Sequence, residues 1–71
     1  MSVPEPLISR TPGVLSGAPV FAGTRVPVQT LLEYLEGGEP LAEFLEDFPT
    51  VTREHAVAVL ELAKRALLAA A

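Results

Sequence analysis

Histidine is the side chain that most readily serves as a base near neutral pH, and this chain has one, His55. With no cysteine and no second imidazole, a zinc site cannot be assembled around it. As a general base it would need a nucleophile and an orienting acid within reach. Glu54 is adjacent, but neighbours on a helix do not face each other, so a surface or helix-start role is expected. Carboxylates offer the other route to chemistry. Glu33, Glu36, Glu39, Glu43, Glu46 and Asp47 fall in the gaps between regularly spaced apolar residues, which predicts a solvated acidic face and not a metal or acid–base site. Gly37-Gly38 lacks the flanking motif and preceding buried strand of a phosphate-cradling loop. No nucleophile, base and site combine, so no enzyme, cofactor or metal is expected.

What remains is the chemistry of recognition. Five basic and nine acidic residues give a net charge of −4, which opposes binding that depends on neutralising phosphates. The charge is unevenly spread. Glu39 to Val51 carries four acids and no base, whereas Thr52 to Ala71 carries three bases against two acids. An acidic middle segment beside a mildly basic end suits a basic protein partner better than DNA alone. Arg25 is able to grip a carboxylate bidentately or contact a phosphate; a structural bridge to Glu33 or Glu36 is the favoured reading of it.

These residues need elements to position them. Gly23-Thr24-Arg25-Val26-Pro27-Val28 joins an extended region to a helix: Gly23 permits a turn, Thr24 bonds nearby backbone, and Pro27 fits the first helical turn. Before it, Leu7-Ile8-Ser9 and Val20-Phe21-Ala22 read as short strands, with Thr11-Pro12-Gly13 as a turn and Val14-Leu15 as a further extended piece. Strands this short are marginal alone, so they are expected to pair with a second copy or lie on the helices.

Three helical patterns follow. Val28, Leu31, Leu32 and Leu35 recur at i, i+3, i+4, i+7, ended by Gly37-Gly38. Leu41, Phe44, Leu45 and Phe48 repeat that spacing between Pro40 and Pro49. Thr52 is an N-cap for a last helix from about Arg53 nearly to the C-terminus. Its main apolar face is predicted from Ala56, Val57, Leu60, Ala63, Leu67 and Leu68, with Val59 and Leu62 outside it, and Glu61 and Arg65 form a weak surface pair. A helix apolar over more than one face wants more than one neighbour.

Seventy-one residues make one domain, read as a loose tail over 1–6, an extended arm over 7–26 and a three-helix domain over 27–71. A chain this short is stabilised only marginally by its own core. With 49% hydrophobic residues it has apolar surface to spare, which points to a homodimer or a protein partner. No basic start with an apolar run marks a signal peptide, and no run reaches membrane-spanning length, so no membrane association and a cytoplasmic location are expected.

The run from Gly23 to Val28, with the helix spacing after it, resembles the bacterial family catalogued as domain of unknown function four-three-three. The likeness covers about Leu7 to Ala66, and Gly38 to Thr52 resembles that family's helix-turn-helix core, with Glu39 where relatives more often carry a serine-like cap. The resemblance implies a mainly α, homeodomain-like, tri-helical fold with a short extended N-terminal arm or small β-strands. It also implies the antitoxin of a type II toxin–antitoxin pair, which inhibits a PIN-like nuclease toxin and contributes to repression of the shared operon. In a helix-turn-helix the last helix offers its first residues to the major groove, which makes Thr52, Arg53 and His55 the DNA-facing candidates, with Arg25 assisting. Partner binding is assigned to Glu43, Glu46 and Asp47 and to the apolar anchors Leu60, Leu67 and Leu68. A free-standing dimeric transcription regulator and an adaptor domain without DNA binding remain open alternatives.

Overall fold

Thr24 shapes the arm. Its hydroxyl donates to the Phe21 carbonyl at 2.8 Å and accepts from the Val26 amide at 3.0 Å. Gly23 beside it takes φ +79°, where a side chain would be strained. The backbone therefore doubles back, and the Phe21 amide closes the loop on the Val26 carbonyl at 2.9 Å. In the computed structural model, which describes residues 3–10 and 17–70, this reversal folds the chain back along one side of a small two-stranded sheet. β1 (Ile8–Ser9) and β2 (Val20–Phe21) run antiparallel, with Ile8 opposite Phe21 and Ser9 opposite Val20. A single bridge from Val20 to Pro27 flanks the other side of β2.

The strands thus pair with each other inside one chain and lie on the helices, the second of the two expected arrangements, with no second copy needed for their pairing. The reason is that β2 buries Val20 and Phe21 in the core while its backbone is satisfied from both sides. A helix-packed ribbon of this kind does not have to be stable alone. The expected turn at Thr11-Pro12-Gly13 and extended piece at Val14-Leu15 lie outside the described residues.

Three helices complete a mainly α, tri-helical domain behind this arm, as the sequence implies. α1 (Val28–Glu36) is preceded by Pro27, whose φ of −66° and ψ of 140° make it the residue before the helix instead of a member of its first turn. Gly38 at φ +86° ends it, and the Gly38 amide bonds back to Leu35 at 3.1 Å. α2 (Leu41–Asp47) starts after Pro40 and ends where Phe48 and Pro49 leave helical geometry. α3 (Arg53–Ala70) begins with the predicted cap: the His55 amide donates to the Thr52 hydroxyl at 3.1 Å. The order of α2 and α3 around a short turn is that of a helix-turn-helix.

The core joins all of these elements. Phe21, Val26, Leu31, Phe44, Val51, Ala56 and Val59 form its buried cluster. Phe21 and Phe44 are tilted rings 5.8 Å apart, and Phe44 in turn meets Phe48 at 5.1 Å and Tyr34 edge-on at 5.5 Å. The α2 stripe packs as predicted. Two others are rotated. On α1, Leu31 is buried and Val28 and Tyr34 pack on the core, while Leu32 and Leu35 stay exposed. On α3, Val59 turns inward with Ala56, while Val57 is 48% exposed. In both helices aromatic and polar residues take part in the inward face: Tyr34 through its ring, His55 through its hydrogen bond. Counting aliphatic residues alone therefore places the stripe's centre slightly off.

Candidate partner-binding surface

His55 is buried at the start of α3, so of its two expected roles the helix-start one holds and the surface one does not, and burial removes it from the DNA-facing residues. It stands in the first turn of α3, and its Nε2 lies 2.7 Å from the carbonyl oxygen of Leu7. A carbonyl can only accept, so Nε2 carries the proton and donates. The same carbonyl accepts the Ala22 amide at 3.0 Å. The imidazole also stands edge-on to Phe21, ring centroids 5.1 Å apart. One side chain thus ties α3, β2 and the residue before β1 together.

The other DNA candidates lie around the start of α3 and in the arm. Thr52 commits its hydroxyl to the helix cap. Arg53 is the exposed first residue of α3, and Arg25 is exposed in the loop before α1. The predicted bridge from Arg25 to Glu33 or Glu36 does not form. Among the described residues the ion pairs are those of Glu61 with Lys64 at 2.9 Å and with Arg65 at 3.7 Å, because the arm's turn leaves Arg25 pointing to solvent while Glu33 accepts from the Gln29 amide group at 2.8 Å. The Lys64 ammonium holds the Glu61 carboxyl below its usual range.

The acidic surface is better organised than a plain solvated face. Thr30, Glu33, Tyr34, Glu39, Glu43 and Asp47 line an open groove between α1 and α2. Tyr34 donates its hydroxyl to the Asp47 carboxylate at 2.6 Å. That hydrogen bond, partial burial, and the charges of Asp47, Glu43 and Glu39 push the phenol above its usual range. Glu43 and Glu46 are exposed on α2, and Asp47 at its end is exposed with one oxygen engaged by Tyr34. Thr30, Glu33, Tyr34 and Glu39 are the members that sequence reasoning does not assign to a site; the i, i+3 spacing of Leu31 and Tyr34 is the available signal.

The apolar part of the surface is the far end of α3. Ala56, Val59, Leu60, Ala63 and Leu67 recur at i, i+3, i+4, i+7, i+11, a single stripe. At its start Ala56 is fully buried, and Leu60 packs against the core as a half-buried residue. By its end Leu67 is 73% and Leu68 67% exposed. Every residue from Lys64 to Ala70 is exposed. The stripe outruns the domain that it is built to cover. No helix among the described residues is long and apolar enough to cross a membrane.

The profile of the family described as Protein of unknown function (DUF433) matches residues 8–63. Among solved structures, the crystal structure at 2.00 Å resolution of a DUF433 member protein from Anabaena variabilis ATCC 29413 is similar in both sequence and fold, with 36% identity and a TM-score of 0.73. The similarity covers 83% of this chain and 58% of that one, so the chain spans little more than half of that protein's length. Among curated proteins nothing matches.

Proposed function

The chain belongs to the DUF433 family, and from that premise we propose that it is a binding module without catalytic activity, the antitoxin of a type II toxin–antitoxin pair whose partner is a PIN-like nuclease. The observation that carries this reading is the α3 stripe, which runs from fully buried Ala56 to Leu67 at 73% exposure along one continuous helix. An apolar helix end that leaves its own domain is suited to a hydrophobic groove on another protein. Leu60 would mark where the stripe leaves the core, with Leu67 and Leu68 as the anchors.

The acidic face supports the same partner class. An enzyme that cuts RNA presents cations to its substrate, and Glu43, Glu46 and Asp47 offer carboxylates in place of phosphates. Inhibition is then occlusion: the helix end holds, and the acids cover the cationic cleft. Operator binding is a subsidiary role. With His55 buried and Thr52 engaged in its cap, it rests on Arg53 and Arg25 from two copies and should weaken steeply with salt.

The direct test is reconstitution with a PIN-like nuclease from the same genome, measured by calorimetry and by RNA cleavage. Reversing charge at Glu43, Glu46 and Asp47 together with truncation after Lys64 should abolish complex formation and restore cleavage. Unchanged binding by that variant would sink the reading.

A further inference from the structure

Two apolar features of this surface have no cover among the described residues, and the charges beside them are opposite. The first is a shallow trough along α1, where Leu32 and Leu35 lie between Gln29, Glu33 and Glu36. The charged residues that line this trough are the carboxylates Glu33 and Glu36, and no lysine or arginine occurs from Val26 to Thr52. The second is the end of α3. Lys64, Leu67 and Leu68 share a face at i, i+3, i+4, with Arg65 three residues before Leu68, and no acid occurs between Leu62 and Ala71.

Each feature supplies what the other lacks: two exposed leucines with cations against two exposed leucines with carboxylates. The match cannot be made within one chain. Both features stay exposed together, and α3 is an unbroken helix to Ala70, about 27 Å long at 1.5 Å per residue. Anchored at Ala56 and Val59, it has no hinge with which to return to its own α1. The contacts of Lys64 and Arg65 with Glu61 do not block the exchange, because exposed pairs of this kind are weak and readily replaced.

We propose that the end of α3 lies in the Leu32–Leu35 trough of a second copy of this chain, and that the second copy returns the contact, giving a closed pair with two identical junctions. Leu67 and Leu68 fill the trough while Lys64 and Arg65 meet Glu33 and Glu36 at its rim. Reciprocal exchange satisfies both copies at once and leaves no free end to propagate. This pairing goes beyond the toxin reading and does not depend on it.

Sedimentation equilibrium of the full chain tests it with two variants, Leu67→Asp with Leu68→Asp in the helix end, and Leu32→Asp with Leu35→Asp in the trough. All four leucines are exposed, and circular dichroism checks that each variant remains helical. The wild type is expected at twice the 7.5 kDa of one chain, and each variant at the mass of one. Mixing the two variants brings an intact end together with an intact trough and should restore the double mass through one junction, at least tenfold weaker than in the wild type. A second set guards against a misfolded variant: Lys64→Glu with Arg65→Glu should weaken pairing, and Glu33→Lys with Glu36→Lys in the other copy should recover it. A wild type that stays a single chain overturns the proposal. So does a trough variant that pairs like the wild type, or a mixture in which nothing is restored.

Discussion

His55 shows how much one polar side chain can hold in a small core. Its Nε2 donates to a carbonyl 48 residues earlier in sequence, at Leu7, and its ring packs on Phe21. His55→Ala would open a cavity beside Phe21 and remove one of the two donors to that carbonyl. We expect a loss of about 2–3 kcal/mol in urea unfolding, with β1 more exposed to hydrogen exchange than α2. Tyr34, the single tyrosine, gives a second residue-level test. Asp47 and the acids around it favour the neutral phenol, so absorbance titration should find its midpoint above 10, and Asp47→Asn should lower it. The sign follows for stability: a folded-state pKa raised above the unfolded one contributes fully below pH 10, and that contribution is lost as pH rises through the folded midpoint. Thr24 and Thr52 were legible from sequence because their partners lie within three residues. His55 was not, because its partner is distant; its place at i−1 and i−4 from Ala56 and Val59 was the only local hint.

At the scale of elements, each helix is bounded by residues whose conformations are set locally, and these boundaries were read correctly to within a residue. Thr52→Ala should cost about 1 kcal/mol through the lost cap, measured by thermal unfolding. Gly38→Ala, at φ +86° with open space around it, should cost about 1 kcal/mol from backbone strain alone. The faces of the helices were harder to read. Leucine spacing on α1 did not distinguish Leu31, which is buried, from Leu32 and Leu35, which are not. Periodicity fixes which residues share a face, but only the neighbours decide where the buried part of that face ends. The short strands illustrate the same point: their extended character was visible, whereas their pairing joins residues distant in sequence, Ile8 to Phe21 and Ser9 to Val20.

The whole molecule is a small core with one helix that extends beyond it. Truncation after Lys64 removes only exposed residues of α3, so the domain should keep its fold, with a change in unfolding free energy within about 0.5 kcal/mol for a single chain, while its associations are lost. If the same helix end serves both a second copy and a toxin, the two occupants compete, and added toxin should dissolve the pair. The measurement that tests the account most directly is recovery of the tagged chain from its own cells, with mass spectrometry of what remains bound, run beside the variant with Leu67→Asp and Leu68→Asp. The account predicts a stoichiometric PIN-like nuclease with the wild type and its loss from the variant. A wild type that comes through with no such protein, or a variant that retains it, would contradict it.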